Sequence, residues 1–173
     1  MDTAWLEKKA LDYVARWEST RRGVAELLGR KIRQRCDRTN EQPETPLALI
    51  PEIVERLVAR DYVNDQRAAT QLFERMRQQG RSRSQIRFRL LQKGVPESIT
   101  SEFTRLHDAD AELQAAWKTA RRRGLGPHCR DPERRSAERT RHLSVLARQG
   151  FSSEIAHRVI DAKETTPPFE SRE

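Results

Sequence analysis

The sequence predicts an all-α protein built as three tandem three-helix, helix-turn-helix-like repeats, and three observations carry that reading. The first is a phrase that recurs with apolar residues four and eight positions apart: Ile50, Val54 and Val58; Val95, Ile99 and Phe103; Phe151, Ile155 and Val159. Self-similarity of this kind marks a unit that buries its apolar face only against its neighbours. The second is punctuation: Pro51, Pro96 and Ser152 stand where a helix would begin. In the second and third copies Gly94 and Gly150 close the preceding helix, four residues after Leu90 and Leu146. Glycine there accepts the left-handed conformation that ends a helix. The third is composition, with 35% hydrophobic and 35% charged residues and only 7 Gly and 8 Pro in 173 residues. That is a solvated, helical make-up, low in apolar residues for one globular core.

The elements follow in order. Trp5, Leu6, Leu11 and Val14 predict a helix near Thr3 to Arg16, and Ser19-Thr20 caps a second carrying Val24, Leu27, Leu28 and Ile32. A polar loop over about 36–48, broken by Pro43 and Pro46, separates it from a helix begun by Pro51 with Ile53, Val54, Leu57 and Val58. Asn64 or Asp65 caps the next, which carries Ala68, Ala69, Leu72, Phe73 and Met76 and stops at Gly80. Ser84 begins a short helix with Ile86, Leu90 and Leu91 inward and Arg83, Arg87 and Lys93 outward, and a further helix follows Pro96 to about His107. The third copy reads as Ala111 to Arg123, a break at Gly124-Leu125-Gly126-Pro127, a helix from Pro132 to Gln149, and a last one from Ser152 to about Lys163. The expected divisions are 1–62, 63–108 and 109–163, with 164–173 a disordered tail.

Charge points to a partner. With 34 Lys+Arg against 26 Asp+Glu, a net charge of +8 and a pI near 10.2, the chain favours polyanions or an acidic protein face. Arginine supplies nearly all of it, and its planar fork grips phosphate and carboxylate in a way lysine cannot. Arg75, Arg77, Arg81, Arg83, Arg87, Arg89 and Lys93 form a run with no acid among them, the leading candidate for a phosphate-binding face. A second patch, Arg121, Arg122 and Arg123 with Arg134, Arg135, Arg139 and Arg141, is diluted by Asp131, Glu133 and Glu138.

Other chemistries find little footing. His107, His128, His142 and His157 are scattered, and His128-Cys129 is the sole metal-like pair, short of the four spaced ligands that zinc needs. Cys36 and Cys129 read as free thiols. No nucleophile elbow or paired inward carboxylates suggest catalysis, and no cofactor motif is present. Trp5, Trp17 and Trp117 sit on helical patterns and read as packing residues in preference to base-stacking platforms. No apolar run suffices to span a membrane and the start lacks a signal layout, so a cytoplasmic monomer is expected.

The stretch Asp61-Tyr62-Val63-Asn64-Asp65-Gln66-Arg67-Ala68-Ala69, followed by Gly80, Ile86, Leu90 and Lys93-Gly94-Val95, resembles the core signature of the RecX family, whose members modulate the recombinase RecA. Arg141 to Phe151, through Gly150, looks like that family's closing motif. Asn64-Asp65 stands where the family usually has two acids, and Ala68 where it usually has an aromatic residue. The resemblance implies an elongated, curved array lying in the groove of a RecA filament on single-stranded DNA. There it inhibits ATP hydrolysis, strand exchange and co-protease activity in recombination and the SOS response, or promotes filament disassembly. Tyr62, Asp65, Arg67, Ala69, Gly94, Gly150 and Phe151 carry the family motifs, and we read them as scaffold, with the Asp65 carboxylate capping its own helix. Weak non-specific DNA binding accompanies this reading, and the alternative is a helix-turn-helix-like DNA-binding regulator.

Overall fold

The computed structural model describes residues 3–39 and 42–165, and every regular element among them is helical, with no strand. Most of the tail expected to be disordered, 166–173, lies outside the described residues. Two compact units are present: Met1–Leu72 with Leu90–Thr100, and Phe73–Arg89 with Ser101–Glu173.

In the first unit α1 (Thr3–Val14), α2 (Arg21–Thr39) and α4 (Ile50–Ala59) close around Leu6, Val24, Leu28, Ile32, Ile53 and Leu57. The polar loop expected over 36–48 is largely helical instead. Cys36 extends the stripe of Val24, Leu28 and Ile32 by one more turn and is 4% exposed, so burial on that face carries α2 on to Thr39. A one-turn helix, α3 (Glu44–Ala48), follows Pro43, whose carbonyl accepts from the Leu47 N–H, and Pro46 is buried. The first helix ends at Val14, short of Arg16, and Trp17 departs from the expected packing role at 65% exposed.

Next come α5 (Asp65–Gln78), α6 (Arg83–Gln92) and α7 (Glu97–Leu106). Asn64 caps α5, its Oδ1 accepting from the Arg67 N–H at 3.1 Å. Ser82, not Ser84, caps α6, its hydroxyl accepting from the Gln85 N–H at 3.2 Å. Ile86 and Leu90 are fully buried and Leu91 half-buried. The boundaries of the two compact units fall inside these three helices.

The second unit holds α8 (Ala109–Arg123), a 3-10 turn (Gly126–His128), α9 (Pro132–Ala137), α10 (Arg139–Arg148) and α11 (Ser153–Ile160). Leu113, Trp117, Leu146, Phe151 and Val159 make its core, with Trp117 edge-on to His128 at 5.7 Å. The single helix expected from Pro132 to Gln149 is interrupted at Glu138, where φ −94° and ψ 8° leave the helical range between α9 and α10. The helix order is consistent with three copies of one unit, α1-α2-α4, α5-α6-α7 and α8-α10-α11, with α3 and α9 inserted.

One joint is built twice. In the first unit Thr20 accepts from the Gly23 N–H to cap α2 and donates to the Lys93 carbonyl at 2.5 Å, while Asp65 accepts from the Arg21 N–H. In the second unit Ser82 caps α6 and donates to the Gln149 carbonyl at 2.6 Å, while Glu112 accepts from the Arg83 N–H at 2.7 Å. Each hydroxyl thus serves two elements, satisfying the orphan N–H of a helix start and the carbonyl that precedes a helix-closing glycine. The glycines follow from this closeness. A Cβ on Gly94 (φ +78°) would land on the Arg22 side chain, and one on Gly150 (φ +83°) would stand 2.8 Å from the Ser82 hydroxyl.

Candidate functional site

The structure divides the basic residues into those that bind the protein itself and those that face solvent. Arg83 is the clearest departure from expectation. Its Nε and Nη2 donate to the His107 carbonyl at 2.8 and 2.5 Å, which satisfies the end of α7. The second patch is drawn inward in the same way. Arg122 donates to the Gln79 carbonyl at 3.0 Å, beside Lys118 on Gln78 and the Thr119 hydroxyl on Gly80, so that three side chains of α8 cap the end of α5. Arg135 donates to the carbonyls of Ile160 and Ala162 at the end of α11. Arg139 grips Asp161 with two bonds of 2.7 Å and stands 3.1 Å from the His157 ring. Those bonds, with His157 beside them, hold the Asp161 carboxyl down at about 2.

Other arginines keep outward-facing donors. Arg75, Arg121 and Arg123 are exposed with no ion pair or side-chain hydrogen bond among the described residues. Arg77 is exposed, lies 5.6 Å over the Phe73 ring and only 3.9 Å from Glu74, and Arg81 makes a long 3.5 Å contact with Gln79. Arg87 and Arg89 are exposed on α6 and each has a partner within the protein, and the Lys93 side chain is exposed. Arg134 and Arg141 share the Glu138 carboxylate at 2.9 and 3.1 Å, and the Arg134 hydrogen bond above all holds its pKa below the ordinary carboxylate range.

Arg123, Arg134 and Arg141 converge with Arg130 on a cleft of 540 Å³ that also takes in His128, Cys129, Asp131, Glu138 and His142. Burial lowers the affinity of both imidazoles for a proton, with Arg121 adding to the effect at His128. Neutral His142 accepts from the Gly126 N–H through Nδ1 at 3.2 Å. No cluster of three or more His, Cys, Asp or Glu among the described residues could hold a metal ion, and no described helix is long and apolar enough to cross a membrane.

Arg67 ties Glu18 (2.8 Å) to Asp61 (2.9 Å), Ala69 and Phe151 are buried, and Tyr62 is half exposed. Asp65 does not cap its own helix. That role falls to Asn64, which frees the Asp65 carboxylate for the first N–H of α2.

Two features escaped the sequence reading. Arg30, Lys31, Arg33 and Arg38 project from the second half of α2 without a carboxylate partner among the described residues. Phe88 is 66% exposed between Arg87 and Arg89. The signal for Phe88 was present: it lies two residues from both Ile86 and Leu90, hence on the opposite side of the helix.

No family model matches the chain. Over 161 residues, however, it is 33% identical to "Regulatory protein RecX" of Myxococcus xanthus, a match spanning 91% of this chain and 85% of that protein. The chain belongs to the RecX family. Its fold agrees with that of other RecX proteins. The crystal structure of RecX from Lactobacillus salivarius matches with a TM-score of 0.66 at 20% identity, covering 92% of this chain and 95% of that one. A second crystal structure of regulatory protein RecX gives a TM-score of 0.66 at 21% identity over 92% of this chain and 73% of that one. Across the RecX family fold, then, the helical frame keeps its course while the sequence of this chain differs at most positions.

Proposed function

We propose that this chain regulates the RecA recombinase by binding its filament on single-stranded DNA through solvent-facing arginines, with no chemistry of its own. The observation that carries the reading is the 33% identity to a RecX regulatory protein over nearly the whole chain. The net charge of +8 supports it, as do the exposed Arg75, Arg121 and Arg123, which have no carboxylate partner among the described residues. Such groups add affinity for a polyanion by releasing its counterions. In this reading a cytoplasmic monomer restrains ATP hydrolysis, strand exchange and co-protease activity during recombination and the SOS response. The face consists of Arg75, Arg77, Arg87, Arg89, Arg121 and Arg123, and excludes Arg83, Arg122, Arg135 and Arg139, whose guanidinium groups close helix ends or ion pairs.

The test is the single-stranded-DNA-dependent ATPase of the cognate RecA with this protein titrated in. Substoichiometric inhibition supports the proposal. No effect up to equimolar protein, together with sequence-selective duplex binding that survives salt, would replace it with a helix-turn-helix-like DNA-binding regulator.

A further inference from the structure

Among the described residues, five large apolar side chains are exposed: Leu11, Trp17, Tyr62, Phe88 and Leu106. Four of them have an acid close by in sequence, Asp12 beside Leu11, Glu18 beside Trp17, Asp61 beside Tyr62 and Asp108 near Leu106. Phe88 differs. It is the most exposed of the five at 66%, arginines flank it on both sides, and no acid occurs from Arg75 to Lys93. Its exposure is built into the fold, because rotating α6 to bury Phe88 would bring the fully buried Ile86 and Leu90 out into water.

We propose that Phe88 is a stacking platform for an unpaired nucleobase, with the flanking Arg87 and Arg89 of α6 holding the phosphates around it. An aromatic face beside guanidinium groups matches the two surfaces of a single strand, the flat base and the charged backbone. Arg87 and Arg89 have partners within the protein, and a guanidinium with five N–H groups retains donors for a phosphate as well. Every base has a π face, so the contact is indifferent to sequence, which suits a protein acting along a filament of arbitrary sequence. A duplex keeps its bases stacked on one another and offers Phe88 nothing. The assignment deepens the single-stranded-DNA part of the proposed function and rests on it.

The experiment uses the full chain without RecA. Affinity for a labelled oligo-dT strand is compared for wild type, Phe88→Ala, Phe88→Leu and Phe88→Trp, with a duplex as control and a 2-aminopurine strand reporting stacking. The expected result is a loss of about 5- to 160-fold for both Ala and Leu, the span that one base-aromatic stack supplies. Trp should retain affinity and the fluorescence change, and duplex binding should not move. An unchanged Ala variant overturns the proposal. So does a Leu variant that binds like wild type, since leucine keeps the apolar contact and lacks the ring. Because no recombinase is present, failure of the ATPase test leaves this result standing.

Discussion

The Asp65 carboxylate accepts a hydrogen bond of 2.9 Å from the backbone N–H of Arg21, the first residue of a helix 44 positions earlier in the chain. Beside it, buried Thr20 bonds both Gly23 and Lys93. Replacing Thr20 with Val keeps the volume and removes both bonds, one a cap and one a buried partner. The expected loss is about 2 kcal/mol. Asp65→Ala should cost less, about 1 kcal/mol or below, because water can reach the freed N–H and only part of the favourable charge at the helix start is lost. Urea unfolding of both variants checks the order.

Gly94→Ala should destabilise far more than Gly124→Ala. Both positions have positive φ, which costs a residue with a side chain about 1–2 kcal/mol. A Cβ on Gly124 has only the His128 carbonyl nearby, at 3.7 Å, whereas one on Gly94 strikes the Cβ of Arg22, which the helix backbone fixes in place. Comparing the two melting temperatures separates strain from collision.

Arginines of one chain should fall into two phenotypes. Arg139→Ala, losing both bonds to Asp161, and Arg83→Ala, losing its grip on the His107 carbonyl, should lower the melting temperature. Arg121→Ala and Arg123→Ala should leave it unchanged and weaken single-stranded-DNA binding, reducing the salt slope by about 0.7 for each phosphate no longer neutralised. Melting curves paired with salt-titrated DNA affinities test the division. If Arg123→Ala leaves both readouts unchanged, it is not part of the face.

Asp161 and His142 give stability a dependence on pH in separate windows, with His128 adding to the upper one and Glu138 and Asp61 to the lower. Asp161 falls from an ordinary aspartate's 3.8 to about 2, so its contribution is complete above 3.8 and is lost as pH drops through 2. Burial disfavours the proton on His142, whose ordinary value is 6.5. The unfolded chain therefore takes up that proton first, and stability declines as pH falls below 6.5. His142→Gln should make that upper limb of a melting-temperature profile shallower, His128 accounting for what is left, and Asp161→Asn should do the same to the lower one.

The helical class and the recurring phrase were legible because apolar spacing of four and the helix-stopping glycines depend on local geometry alone. The end of α2 was not, since the neighbours of Cys36 are polar and only the stripe from Val24 through Ile32 argues that the helix continues. The candidate face was half legible. Sequence shows that Arg83 and Arg89 are cations, but the carbonyl that captures Arg83 belongs to His107, at the end of a separate helix. The fates of Arg122, Arg135 and Arg139 turn in the same way on helix ends distant in sequence. Phe88 was passed over although its signal was local, since its two buried neighbours Ile86 and Leu90 already placed it outside.

The doubled joint bears on how the protein comes apart. In an array whose copies stand independently, unfolding one leaves the next intact and melting proceeds in steps. Here Leu90–Thr100 of the middle copy belongs to one compact body and its remaining residues from Phe73 onward to the other, so the middle copy is no removable bead. Excising the middle copy would strip Thr20 of its acceptor and Gln149 of its donor in a single cut.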